Sequence, residues 1–257
     1  GGDAFAKMKE GAKASSAAPK KRLKKSKAKK KSSKVANVGD KSLEVAESLA
    51  AFDPAKNATL TPGKPVPYMF LADTFETVAN ETKRLKITEI LTNAFRTIIA
   101  TTPEDLLPAV YLSANQIAPA HEGKELGIGD ATLIKTLADA TGRKESAIKA
   151  EYTEEGDLGI VAQASRSTQK MMFPPPPLTV PRVLAAFREI GLMEGSKSVE
   201  RKRAAIKKLL VSSKEIEAGY VIRSLQGKLR IGLAQQTVVT ALAQAALLQE
   251  EVRDGPG

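Results

Sequence analysis

The segment Gly227-Lys228-Leu229-Arg230-Ile231-Gly232 carries the most suggestive chemistry of the chain, because two glycines bracket two cationic side chains. Glycine permits a sharp turn or a close approach of the backbone to a ligand, and an adjacent Lys or Arg supplies charge for an anion. Main-chain amides in such a turn can approach a sugar-phosphate backbone, and a helix starting near Ala234 would add partial positive charge. The plainer alternative is a turn between two helices in which Lys228 and Arg230 are simply solvated. The surroundings share the charge: residues 197–230 hold ten Lys and Arg against three Glu, a net of +7. Within them Arg203 and Lys207 lie one helical turn apart on the same side, while Ile206, Leu209 and Leu210 face inward. Such a surface would hold duplex phosphates without reading sequence.

Other chemistries find no residues to carry them. The 257 residues contain no cysteine and one histidine, which removes disulfides, thiolate metal sites, a zinc cage and most Ser-His-Asp arrangements. His121 reads as a surface loop residue. No glycine-rich loop is followed by Lys and Ser or Thr at phosphate-cradling spacing. No apolar run approaches the roughly twenty residues of a membrane span, and no secretory signal is visible. The chain begins at Gly1 without methionine, so a fragment is expected, with any upstream targeting peptide out of sight.

The formal charge of +11 is unevenly placed. Residues 1–40 hold 13 Lys and Arg against 3 acidic residues, which leaves +1 for residues 41–257. Residues 20–34 place ten basic side chains in fifteen positions and cannot bury enough apolar surface to fold. A disordered basic tail is expected there, acting as a nuclear localisation signal or a polyanion tether, or serving only as a solvated linker.

Beyond the tail a 3.6-residue period dominates. A short helix is expected over 43–51 and a Pro/Gly loop over 54–67. Ile87, Ile90, Leu91, Ala94, Phe95 and Ile98 then share one helical face. Thr102 is placed to cap a following helix, with Pro103 first and Glu104 and Asp105 in its positive first turn, running to about Gln116. Further stripes are Leu133, Ile134, Leu137 and Ala138; Val183, Leu184, Phe187 and Ile190; and Val238, Val239, Leu242 and Ala246. Ser212 with Glu215 suggests a capping box, and Thr179 with Pro181 another helix start. The sum is an all-α architecture of about ten helices with nearly no strand pattern and no repeat period. The expected divisions are a tail over 1–40, a short helix and linker over 41–64, a helical domain over 65–250 and a disordered end over 251–257.

Several stretches resemble the ATP-dependent DNA ligases, in particular the eukaryotic replicative type. Residues 224–234 are similar to a loop of that family, as are Pro108-Ala109-Val110-Tyr111-Leu112-Ser113, Glu125-Leu126-Gly127-Ile128-Gly129-Asp130 and Asp157-Leu158-Gly159-Ile160-Val161-Ala162. Ser165-Arg166-Ser167-Thr168-Gln169-Lys170 leading into the prolines 174–177 completes a similarity that covers about residues 65–248. It implies the family's all-helical DNA-binding domain, with the glycine-bracketed loop in the minor groove. Carried over residue by residue, Gly227, Lys228, Arg230 and Gly232 become DNA-contacting, with Arg166 as a further candidate; the charge pattern adds Arg203 and Lys207. Gln226 stands where the family pattern has a small residue. Arg230 would reach a wide, shallow minor groove in which shape rather than base identity is sensed.

The family's adenylation takes AMP from ATP on a lysine of a Lys-x-Asp-Gly motif. Here the only Asp-Gly is Asp254-Gly255, and Val252 occupies the lysine's place. The expectation is the DNA-binding part of a nick-sealing ligase of replication, repair and recombination, inert alone, with its catalytic domains lost from the chain after Gly257. ATP and Mg would belong to the full-length enzyme. The expected partner is nicked double-stranded DNA in the nucleus, with no membrane; a sliding clamp would be reached through a missing N-terminus. Two alternatives are a noncatalytic helical scaffold with an exposed apolar groove and no converging basic residues, and a chromatin-tethering protein in which the tail does all the binding. The prolines 174–177 read as a stiff spacer rather than a polyproline ligand. Tyr68, Phe70, Phe75, Phe95, Phe173 and Phe187 mostly fall on helical stripes, which disfavours a base-stacking platform for single strands.

Overall fold

A computed structural model of the chain describes residues 45, 47–54, 60–126, 128–167 and 175–253. The basic tail, Phe173 and Pro174 lie outside them, as do residues 254–257. The described residues form ten α-helices and two 3-10 turns, the all-α architecture expected. They contain no β-strand; one antiparallel bridge joins Pro67 and Thr179 at the entries to two helices. Its bonds run from the Tyr68 N–H to the Leu178 carbonyl (2.9 Å) and from the Val180 N–H to the Val66 carbonyl (2.8 Å).

The helices follow their apolar stripes. α1 (Tyr68–Ala79) buries Tyr68, Leu71, Phe75 and Val78, and α2 (Arg84–Thr101) buries all six residues of its stripe. After the 3-10 turn Pro103–Asp105 comes α3 (Leu106–Ser113), which stops short of Gln116, where Asn115 takes φ +53°. α4 (Asp130–Thr141), α5 (Glu145–Glu155), α6 (Leu158–Ser167), α7 (Val180–Leu192), α8 (Ser198–Ser212), α9 (Glu215–Leu225) and α10 (Gln235–Arg253) follow. α2 packs on α10, α4 on α8, and α6 on α9. Phe75 and Tyr220 meet edge to face with centroids 5.3 Å apart, joining α1 to α9.

Of the short helix expected over 43–51, residues 43, 44 and 46 lie outside the described residues; Val45 has 3-10 geometry and residues 49–51 form a turn, with the N–H groups of Ala51 and Phe52 both bonding the Ser48 carbonyl. Two local expectations are corrected. The buried face of α10 is Val238, Ala241 and Ala245, whereas Val239 and Ala246 are exposed. Small residues decide that register: alanines let α10 approach α2 until the Thr92 hydroxyl reaches the Ala241 carbonyl (3.4 Å) and the Gln244 Oε1 (3.0 Å). The caps also shift. The Thr102 hydroxyl donates to the Lys64 carbonyl instead of capping, and α9 begins at Lys214, with Glu217 rather than Glu215 accepting the N-cap amide (2.7 Å).

Glu217 is 2 % exposed, and burial raises its pKa against the opposing pull of backbone N–H bonds. A proton held more tightly in the folded chain makes stability fall as pH rises above the unfolded value of about 4.3, levelling off beyond the folded one. Glu217→Gln keeps an acceptor for the cap and removes the titration. Thermal melts between about pH 4 and pH 7 should show the wild type losing stability relative to this variant as pH rises. A constant difference would contradict burial as the dominant influence.

Candidate nucleic-acid interface

The loop is positioned by the crossing of α6 and α9, which two glycines make close. A Cβ on Gly159 would stand 2.7 Å from Cγ and Nε of Arg223 and 2.9 Å from the Gly219 carbonyl oxygen. Glycine inside a helix costs about 0.5–1 kcal/mol relative to alanine, and here the close approach requires it. Arg223 lies across this crossing. Its Nη2 is 3.1 Å from Oδ2 of Asp157, and its Nε donates to the same carboxylate. Asp157 in turn caps α6, its Oδ1 accepting the Gly159 N–H at 2.8 Å.

α9 ends in a paired cap. The Gly227 N–H bonds the Ser224 carbonyl (2.9 Å) and the Lys228 N–H bonds the Arg223 carbonyl (3.0 Å), with Gly227 at φ +77°. This is a Schellman arrangement, so the plain turn reading holds for Gly227 itself. The rest of the loop does more than end a helix. Leu229 and Ile231 are buried and join the core, while Lys228, Arg230 and Gly232 are exposed. Arg230 takes φ +58° and Gly232 φ +67°. A left-handed arginine costs on the order of 1 kcal/mol, and the two buried anchors on either side hold it. Its Nη1 donates to the carbonyl of Gly156, the left-handed C-cap of α5, at 2.9 Å.

Facing the loop is the segment after α3. Residues 113–120, 123–126 and 226–234 enclose a cleft of about 840 Å³, with Lys124, Lys228 and Arg230 among its cations and Glu125 as an opposing charge. Lys124 is paired with Glu122 at 2.6 Å. α10 starts directly beyond the loop, at Gln235 beside the expected Ala234, and has no acidic residue in its first turn. Its positive dipole end therefore meets no acid of its own first turn.

The other sequence candidates sit elsewhere. Arg166 is buried at 8 % exposure, its Nη2 donating to the Val211 and Ser213 carbonyls (both 3.0 Å) at the end of α8. Burial lowers its pKa. Replacing it by Ala should cost roughly 1–3 kcal/mol, because buried carbonyls lose their donor. The salt dependence of duplex binding should stay as it is; a slope shallower by about 1 would make Arg166 a phosphate contact after all. Arg203 forms an ion pair with Asp139 that joins α8 to α4, Lys207 is exposed, and neither lines the cleft. His121 is exposed in the 3-10 turn Ala120–Glu122. Tyr68, Phe75, Phe95 and Phe187 are buried, leaving no aromatic side chain among the cleft residues.

Sequence reasoning passed over Lys124, Asn115 and Gly156, and took Asp157 only as the start of a family-like stretch rather than as a helix cap. Lys124 stands in a stretch of mixed charge that gives no signal, but Gly156-Asp157 is a readable end-then-start: a C-cap glycine followed by an N-cap aspartate.

The family described as "DNA ligase N terminus" matches residues 67–243. The chain is 53% identical over 200 residues to DNA ligase 1 of Arabidopsis thaliana, covering 78% of this chain and 25% of that protein. It is 49% identical over 209 residues to DNA ligase 1 of Dictyostelium discoideum, covering 81% and 17%, and 42% identical over 207 residues to DNA ligase 1 of Drosophila melanogaster, covering 80% and 27%. The chain thus spans about a quarter or less of the length of these relatives.

Proposed function

The chain belongs to the DNA ligase N-terminus family, and from that premise we propose that it grips nicked duplex DNA through the sugar-phosphate backbone and minor groove for nick sealing by the complete enzyme. The observation that carries this reading is the 227–232 loop. Its two cations are exposed, alternating with the buried anchors Leu229 and Ile231, along a cleft that also holds Lys124 and the residues leading into α10.

Each feature suits a polyanion. A left-handed arginine is costly, and such strain persists where a site uses it. Cations along one cleft also favour duplex binding over a noncatalytic scaffold, for which an apolar groove was expected.

In the complete enzyme this segment would hold the nick so that chemistry elsewhere meets aligned ends. ATP and Mg belong to that larger enzyme. Among the described residues no group of three or more His, Cys, Asp or Glu could hold a metal, and no adenylation step is assigned to them. A nuclear location, with residues 20–34 as the import signal, belongs to the same proposal. No described helix is long and apolar enough to cross a membrane.

Competition against labelled nicked duplex tests the reading. Unlabelled nicked or intact duplex should displace the label with little dependence on sequence, and single strands should compete poorly. Single strands that compete as well as duplex would sink it.

A further inference from the structure

Two adjacent residues between α5 and α6 fasten the loop from both sides, and we propose that Asp157 is a positioning residue for the duplex grip, setting through Arg223 where Lys228 and Arg230 stand. The inference rests on the reading of the 227–232 loop as duplex-contacting. From Asp157 the connection runs through the Arg223 guanidinium, and the carbonyl of that same arginine receives the Lys228 N–H at 3.0 Å. One residue thus links the carboxylate to the first turn of the loop. On the other side Arg230 donates to the carbonyl of Gly156, the neighbour of Asp157. The corner at 156–157 therefore fixes both exposed cations relative to a single point of the fold.

The strut is stiff for identifiable reasons. The two charged side chains are 13% and 10% exposed, so salt screens the pair little. Arg223 meets the carboxylate through both Nε and Nη2, a geometry that fixes direction as well as distance. Its guanidinium lies 5.0 Å from the Tyr220 ring centroid, and its stem runs over Gly159, where a Cβ would collide with it. Asp157 is itself held by capping α6. None of these atoms lines the cleft, so the action of Asp157 on DNA is through the loop.

The test is a double-mutant cycle on the full 257-residue chain, read by affinity for labelled nicked duplex. Asp157→Asn is the first arm, because Asn caps a helix as well as Asp but carries no charge for Arg223. Lys228→Ala with Arg230→Ala is the second arm. Asp157→Asn alone should weaken binding about tenfold, a change of about 1.4 kcal/mol. In the chain already lacking both loop cations it should weaken binding by less than about twofold, because nothing is left to position. Equal losses in both backgrounds would overturn the proposal, since a merely structural aspartate acts the same with or without the cations. Unchanged binding by Asp157→Asn would overturn it too. If removing both cations leaves affinity at the wild-type level, the loop reading itself fails and the proposal falls with it. Should Asp157→Asn melt below the assay temperature, Arg223→Lys replaces it in the same cycle, keeping the charge while losing the two-pronged contact, with the same outcomes expected.

Discussion

Arg230→Gly should weaken binding to nicked duplex by about 5- to 30-fold, corresponding to ~1–2 kcal/mol for a charge-assisted contact, while leaving thermal stability within about 1 kcal/mol of the wild type. The pairing of a large binding loss with a small stability change follows from the backbone. Arg230 sits at φ +58°, a conformation that glycine adopts freely, so the substitution relieves strain while giving up the bond to the Gly156 carbonyl. Arg230→Ala removes the same guanidinium and keeps the strain. The two variants should therefore bind alike and differ in melting temperature, with Gly the more stable. If the guanidinium served only to fasten α5 to the loop, both variants would lose stability and neither would lose affinity beyond that. Fluorescence anisotropy and thermal melts on the same preparations distinguish these outcomes.

Gly159→Ala is expected to be the most damaging small substitution in the domain. The added Cβ meets the Gly219 carbonyl oxygen at 2.9 Å, a backbone atom that moves only with α9, and it also displaces the Arg223 stem from Asp157. Overpacking of this kind costs roughly 1–3 kcal/mol, or about 2–10 °C in melting temperature for a domain of this size. Because the shift is transmitted along α9 to its C-terminal loop, duplex affinity should fall as well. Gly191→Ala provides the contrast. Its Cβ would meet only the Cδ1 of Ile117, the tip of a side chain that can turn away, so the cost should be smaller and affinity should be retained. Equal destabilisation by the two alanines would contradict the role given to the crossing.

The helical architecture was legible because burial on one face of a helix leaves a periodic record. The stripe from Ile87 to Ile98 reads directly onto the buried side of α2. α10 shows where that reading weakens: with apolar residues on several sides, the face is chosen by which side chains are small enough for close approach, and Ala241 and Ala245 carry less weight in a pattern than Val239. The caps misled for a related reason. Ser212 and Thr102 are good capping residues, but the Thr102 hydroxyl is used by the Lys64 carbonyl and α9 starts at a lysine.

The candidate site was legible only in part. Glycines bracketing cations marked the 227–232 loop, yet local composition does not separate its C-cap glycine from its strained arginine. Arg166 and Arg203 looked equivalent to Arg230 as charges, and only tertiary placement separates them: one caps a buried helix end, and another pairs with Asp139. Lys124 reaches the cleft from about a hundred residues away in sequence, a convergence that local spacing does not record.

The most direct test of the central claim compares the full chain with residues 41–257 for binding to nicked duplex across a salt series. If the folded body is the grip, the shorter protein should retain affinity that declines with salt, by about 0.9 in log-log slope for each phosphate it neutralises. The full chain should show a steeper slope, because residues 1–40 carry ten of the eleven net positive charges. Affinity that vanishes with removal of residues 1–40 would place all binding in the basic tail and contradict the account.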